Sequence, residues 1–177
     1  TVVCLHIGSS TRMPVVSADG PPILTPTTLL VSPVLAAAEW IWAGIPVRFP
    51  ELQVVLSESG IAWVPALYDR LRYVFDRHAV WGLPEHLAEQ WRRAGISPAE
   101  ALVERFWFCT FDDPSGMRHL DLLGADHVML ESDYPHSDGS WPDTQAMAHG
   151  LVGQLAPADA DLITHGNAVR LFRHPLP

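Results

Sequence analysis

Histidine and carboxylate side chains fall where the short apolar runs of this chain end, and those residue types bind divalent metals or move protons. The segment ESDYPHSD places Asp133 and His136 three apart after one run. SESG places Glu58 after the second, His6 with Gly8-Ser9-Ser10 closes the first, and Asp112-Asp113 follow the third. Asp133, Glu58 and His136 are therefore candidates for acid–base work. Ser9, Trp63 and Trp141 stand near loop ends, where they can line a substrate pocket.

Each residue also has a plain structural reading. A histidine at a strand end serves as a hydrogen-bonded structural residue, and Asp133 before Tyr-Pro suits a turn. Glu58 can be favoured by the dipole of the next helix, and Asp112-Asp113-Pro114-Ser115 reads as a turn with a helix start. Trp40, Trp42 and Trp63 fall in helical patterns that point to the core. His78, His86, His149 and His174 fall on helices or in the tail, where solvated surface is the default.

A serine hydrolase offers different chemistry. Ser59, Asp133 and His165 run in the nucleophile–acid–histidine order of α/β-hydrolases. The would-be elbow Ser57-Glu58-Ser59-Gly60-Ile61 lacks the flanking glycines that the strained turn needs.

The elements that must position these groups are short apolar runs alternating with longer helical patterns, the signature of β–α units and a parallel sheet. Four strands are expected: Val2 to Ile7, Leu52 to Ser57, Phe106 to Phe111 and His127 to Glu131. Helices are expected from about Thr27 to Ala43, Ile61 to His78, Pro84 to Ala94, near Ser115 to Leu123, and Pro157 to Arg173. Gly44, Gly95 and Gly124 are placed to stop helices, and Ser97-Pro98 reads as an N-cap followed by proline at the first helical position. The loop Gly8 to Pro26 is long enough to be functional, and HPLP closes the chain as a loop.

Four parallel units are half of an eightfold barrel, a fold of typically about 250 residues. A doubly wound open sheet uses the same units. A half barrel leaves two strand edges unpaired, so either a homo-oligomer or a missing N-terminal half is expected to cover them. The absence of an initiator methionine and an opening that already reads as a buried strand suggest a fragment or excised domain.

At 177 residues, 48% hydrophobic and 18% charged, the chain can bury one core. Its net charge is -9 and every basic residue is an arginine, scattered rather than in a stripe. That excludes nucleic acid and anionic membranes as expected partners and leaves a small-molecule substrate. No apolar run reaches the roughly twenty residues of a membrane span, and the longest is broken by Pro33 and Glu39. Cys4 and Cys109 read as free, buried thiols, and a cytoplasmic location is expected.

The segments LHIGSS, FPELQVVLSESGIAWVP, YDRLRYVFDRH, FWFCTFDDPSG, HVMLESDYPHSDGSWPDT and HGNAVRLF resemble, in order, the amidohydrolase-related family. The branch in question includes aminocarboxymuconate-semialdehyde decarboxylase. The resemblance implies the C-terminal half of a TIM-type (β/α)8 barrel with a divalent metal, zinc or alternatively manganese, at its mouth. By that analogy His6 and Asp133 are metal ligands, and Asp133 also shuttles a proton. The implied activity is hydrolysis or non-oxidative decarboxylation of a small carboxylated or cyclic substrate. The family's H-x-H pair occurs nowhere in this sequence, and Glu58 stands where many relatives carry a catalytic histidine. Weak metal affinity is therefore expected of the chain alone, and a catalytically inactive barrel fragment is the non-enzyme reading.

Overall fold

The computed structural model describes residues 1–7 and 14–174. Ser9, with the rest of residues 8–13 in the loop that follows the first strand, and the end of HPLP lie outside the described residues. Four strands, β1 (Val2–His6), β2 (Gln53–Ser57), β3 (Phe106–Thr110) and β4 (Val128–Leu130), form one parallel sheet. Its order is β1-β2-β3-β4, with Cys4 opposite Val55, Val55 opposite Trp107, and Cys109 opposite Met129. A doubly wound sheet reverses its strand order partway. This one never does.

The two faces of the sheet differ as the period of two requires. Leu5, Val54, Leu56, Phe106, Phe108 and Val128 enter the main core together with helical residues. Val55, Trp107, Cys109 and Met129 form a second cluster on the other face, joined by Leu171. Helices pack onto the first face, as in one segment of a barrel wall. Phe106, Phe108 and Leu102 are fully buried there, each contributing about 1.5–3 kcal/mol of transfer free energy.

The connection after β1 holds α1 (Leu24–Thr28), α2 (Val31–Trp42) and α3 (Ile45–Arg48). The expected single helix is thus divided, and Gly44, at φ 72°, turns the chain from α2 into α3 rather than ending it in a loop. By length and composition Leu24–Trp42 is apolar enough to cross a membrane, at a mean hydropathy of 1.3. That corrects the expectation that no stretch is, because the charge of Glu39 is diluted by the alanines and branched aliphatics around it. Core helices meet the same test, and α2 buries Ala36, Ala37 and Ile41 in the main core.

After β2 come α4 (Val64–Gly82), α5 (Glu85–Ala94) and α6 (Pro98–Arg105). The N-cap predicted at Ser97 is a full capping box: Ser97 Oγ accepts the Glu100 N–H at 3.2 Å, and Glu100 accepts the Ser97 N–H at 2.7 Å. Between β3 and β4 lie a 3-10 turn (Gly116–His119) and α7 (Leu120–Leu123). Beyond β4 the sequence reading missed α8 (Thr144–Val152), whose Gly150 and small residues blur its apolar stripe.

The tail runs from α9 (Pro157–Asp161) through a π turn (Leu162–Gly166) into α10 (Asn167–Phe172). The widened π turn explains the HGN motif. It sets the buried Asn167 side chain to donate to Ala125 O at 2.8 Å and Val128 O at 2.7 Å, bolting the last helix to the start of β4. Of the two free thiols only Cys109 is buried. Cys4 is exposed because it lies on β1, a strand paired on one side only.

Candidate active site

At the carboxyl end of the sheet, β1 delivers His6 and the turn after β2 delivers Glu58, with Nε2 of His6 2.7 Å from Oε1 of Glu58. The other ring nitrogen, Nδ1, donates to the carbonyl of Ile7 at 2.8 Å. That bond fixes the ring's orientation and aims Nε2 at the carboxylate. Asp133, from the turn after β4, brings its carboxyl against that of Glu58. Its Oδ2 also lies 2.8 Å from Nδ1 of His136 in an ion-pair contact, although among the described residues no hydrogen bond of good geometry reaches Oδ2. Four of the residues singled out from sequence therefore converge: His6, Glu58, Asp133 and His136.

Backbone conformation marks two of these positions. Glu58 has φ 54° and Asp133 has φ 52°, in the left-handed region that side chains other than glycine and asparagine rarely adopt. Such residues cost on the order of 1 kcal/mol or more and persist where the surroundings over-determine them. For Glu58 the surroundings are visible. Asp113 Oδ2 accepts the N–H groups of Ile61 at 2.6 Å and Ala62 at 3.0 Å, while Oδ1 accepts that of Gly116 at 3.1 Å. The loop after β3 thereby clamps the loop after β2. Gly116 is required for this approach, because a Cβ there would collide with Ile61. So Asp113, rather than Glu58, satisfies the amides ahead of α4.

For Asp133 the turn is closed by the His136 N–H on the Asp133 carbonyl at 2.7 Å. Gly139 then packs against the same backbone, where a Cβ would stand 2.6 Å from Ser132 O.

Sequence reading missed Glu131. Its carboxyl pKa is pushed up to about 7, chiefly by burial, with Glu58 and Asp133 adding to the rise and the facing Glu58 amide opposing it. Oε1 of Glu131 is buried without a hydrogen-bond partner among the described residues. The alternation that places Met129 on the inner face places Glu131 there too, and that period was the available signal. Glu58 is likewise raised, first by desolvation and then by Asp133, while His6 opposes the shift. His6 is raised, chiefly by the Ile7 carbonyl, with burial opposing and Glu58 adding to the rise.

Two clefts flank the loop after β3, the smaller of them bordered by Glu58. One, of about 290 Å3, is bounded by Glu58, Leu30, Ala62, Trp63 and Phe111. The other, of about 710 Å3, is lined by Trp141, Asp138, Asp143 and Met147. Phe111 and Asp112 border both. The two tryptophans expected to line one pocket thus line different clefts, because the loop after β3 stands between them.

The serine-hydrolase arrangement does not form. Ser59 is buried and its hydroxyl donates to Gly60 O at 2.9 Å and Cys109 O at 3.3 Å, so it is spent on backbone carbonyls. His165 lies in the π turn of the tail with Nδ1 3.2 Å from Thr164 Oγ1. The order of the three residues in sequence carried no information about their separation in space.

The residues supply part of a metal's donor set. His6 makes the carbonyl hydrogen bond that metal-binding imidazoles commonly make through their second nitrogen, and Asp133 supplies a carboxylate of the type that binds divalent metals. Among the described residues, however, no three His, Cys, Asp or Glu side chains are placed to hold a metal ion.

No curated protein matches the chain significantly. Among solved structures it is similar to 5-carboxyvanillate decarboxylase LigW from Sphingomonas paucimobilis, at 22% identity and a TM-score of 0.66 over 84% of this chain and 42% of that one. An amidohydrolase from Mycobacterium avium subsp. paratuberculosis K-10 gives 22% identity and a TM-score of 0.63 over 84% of this chain and 35% of that one. A dihydroxybenzoic acid decarboxylase from Polaromonas sp. JS666, solved with manganese and 2-nitroresorcinol, gives 16% identity and 0.59 over 82% and 41%. The chain spans less than half the length of these structures. The family profile for amidohydrolases matches residues 2–174. The chain belongs to the amidohydrolase family, of whose (β/α)8 barrel it forms about four β–α units.

Proposed function

We propose that this chain provides one side of a metal-dependent active site that hydrolyses or non-oxidatively decarboxylates a small substrate. The observation that carries the reading is the His6–Glu58 contact at 2.7 Å, with Asp133 against the same carboxyl and both acids held at positive φ. His6 and Asp133 would be two ligands of a divalent metal, zinc or manganese, with further donors outside the described residues. A bound cation would polarise the substrate or a water molecule.

The chain's own residues account for the proton handling. Glu58 touches His6 on one side and Asp133 on the other, so it can take a proton from either and return it. Asp133 is the acid or base toward substrate, and His136, paired to it from the exposed side, gives that proton a route to solvent. Hydrolysis uses this relay to take a proton from water. Decarboxylation uses it to protonate the carbon that loses CO2. A small molecule is the partner at the site. A second copy or a further segment is the partner for the two open strand edges, in a soluble protein of the cytoplasm.

Manganese is the probe, since its paramagnetism reports even weak binding. Titrating Mn2+ into the chain is expected to broaden the backbone signals of His6, Glu58 and Asp133 before any others, and Asp133→Asn should abolish the effect. Broadening confined to other carboxylates, or unchanged in Asp133→Asn, sinks the reading.

A further inference from the structure

A third cleft, of about 470 Å3, lies where Trp42, the last residue of α2, meets the second half of α4. It shares no residue with the two clefts at the sheet mouth. Arg70, Val74, His78 and Trp81 line it, and their spacing of three and four puts them on one face of α4. Both clefts at the mouth are bordered by acids, Asp112 among them. Here no aspartate or glutamate borders the space, and the polar side chains are Arg70 and His78. The chain carries 20 acids and a net charge of -9, so a cleft of this composition is selective for the opposite sign of ligand from its surroundings.

Arg70 is open to a ligand. Arg72, two residues on and so on the opposite side of α4, pairs with Asp69, whereas Arg70 forms no ion pair among the described residues. Its guanidinium lies over the Tyr73 ring, 5.4 Å from the centroid, which steadies it without using its N–H donors. The rings beside it order one another. His78 meets Tyr73 edge to face with centroids 6.0 Å apart, and meets Trp81 at 5.0 Å. Trp81 is nonetheless 76% exposed. A large ring held in place yet left open to solvent gains contact area at little entropic cost.

The helix sets the direction in which a ligand lies. The last carbonyls of α4 carry the negative end of its dipole beside Gly82, which also borders the cleft. Arg70 stands about 18 Å earlier along the axis, where that effect has faded. An acid group therefore belongs at Arg70, and an apolar body toward Trp42 and Trp81. An apolar cavity of about 150 Å3 holds benzene, so this cleft has room for fused rings with a carboxylate.

We propose that this cleft binds a flat aromatic carboxylate, its acid on Arg70 and its rings against Trp42 and Trp81. No residue of the sheet mouth takes part, so the site stands apart from the reacting centre.

The probes are 2-naphthoate and 2-naphthamide, one ring system with an anionic and a neutral head. The observables are the indole N–H signals of Trp42, Trp63 and Trp81, assigned by their loss in Trp42→Phe, Trp63→Phe and Trp81→Phe. The naphthoate should shift the Trp42 and Trp81 signals saturably and leave that of Trp63, beside Glu58, still. The amide should bind roughly tenfold more weakly, the worth of one charge-assisted hydrogen bond. Arg70→Gln should erase that difference, whereas Arg72→Gln, a control on the same helix, should keep it. Trp81→Ala should weaken both probes. No saturable shift at Trp81, equal binding of the two probes, or an Arg70→Gln variant that still prefers the naphthoate overturns the proposal. So does movement of the Trp81 signal on dilution of the protein alone, which would make this face a contact between copies of the chain.

Discussion

Asp113 and Ile61 are joined across the sheet mouth by a 2.6 Å hydrogen bond from the Ile61 N–H to Oδ2. The bond ties the loop after β3 to the loop that carries Glu58 and Trp63, so the position of the candidate acid depends on a carboxylate that does no chemistry itself. Asp113→Ala should leave three amides without their acceptor, at a cost of about 2–3 kcal/mol. Thermal denaturation would measure the loss, and the Trp63 indole signal should move. An unchanged melting temperature would show that the clamp is dispensable.

The two thiols should differ in reactivity. Burial, reinforced by Glu131, pushes the Cys109 thiol far up, whereas Cys4 is exposed. The thiolate is the reactive form. At pH 8 the native chain should therefore consume one equivalent of Ellman's reagent rapidly, at Cys4, and a second only in denaturant. Two fast equivalents in the native state would contradict the burial of Cys109.

Stability should fall with rising pH on account of Glu131. Its folded pKa, about 7, lies above its ordinary value of 4.5, so folding favours the neutral form. The benefit is fully present below the lower value and is lost as pH rises to the upper one, by about 3 kcal/mol. In chelator-treated protein, urea denaturation between pH 4.5 and 7.5 should show this decline, and Glu131→Gln should flatten it. Equal slopes in both proteins would place the burden on another group.

Asn167→Ala should destabilise by about 2 kcal/mol or more, because it strips the carbonyls of Ala125 and Val128 of their shared donor. Asn167→Asp should be worse, replacing a donor by a charge beside two acceptors. Urea unfolding midpoints test the ranking. An aspartate variant as stable as wild type would mean that another donor serves these carbonyls.

The sequence by itself determined the four strands, the course of several helices and the family, because these follow from local periodicity, caps and motif order. Ser97 with Glu100 is written in the chain as a capping box and folds as one. His6, Glu58 and Asp133 were legible because polar residues at the ends of apolar runs must lie at one end of a parallel sheet. Tertiary structure alone decided the rest. Ser59, Asp133 and His165 share an order in sequence but no site in space, since order does not encode distance. That Asp113 is a clamp, that Trp63 and Trp141 face different clefts, and that Glu131 is buried beside Glu58 all depend on how separate loops approach one another. Such approaches are set by packing across the sheet, between residues far apart in the chain, and no local pattern records them.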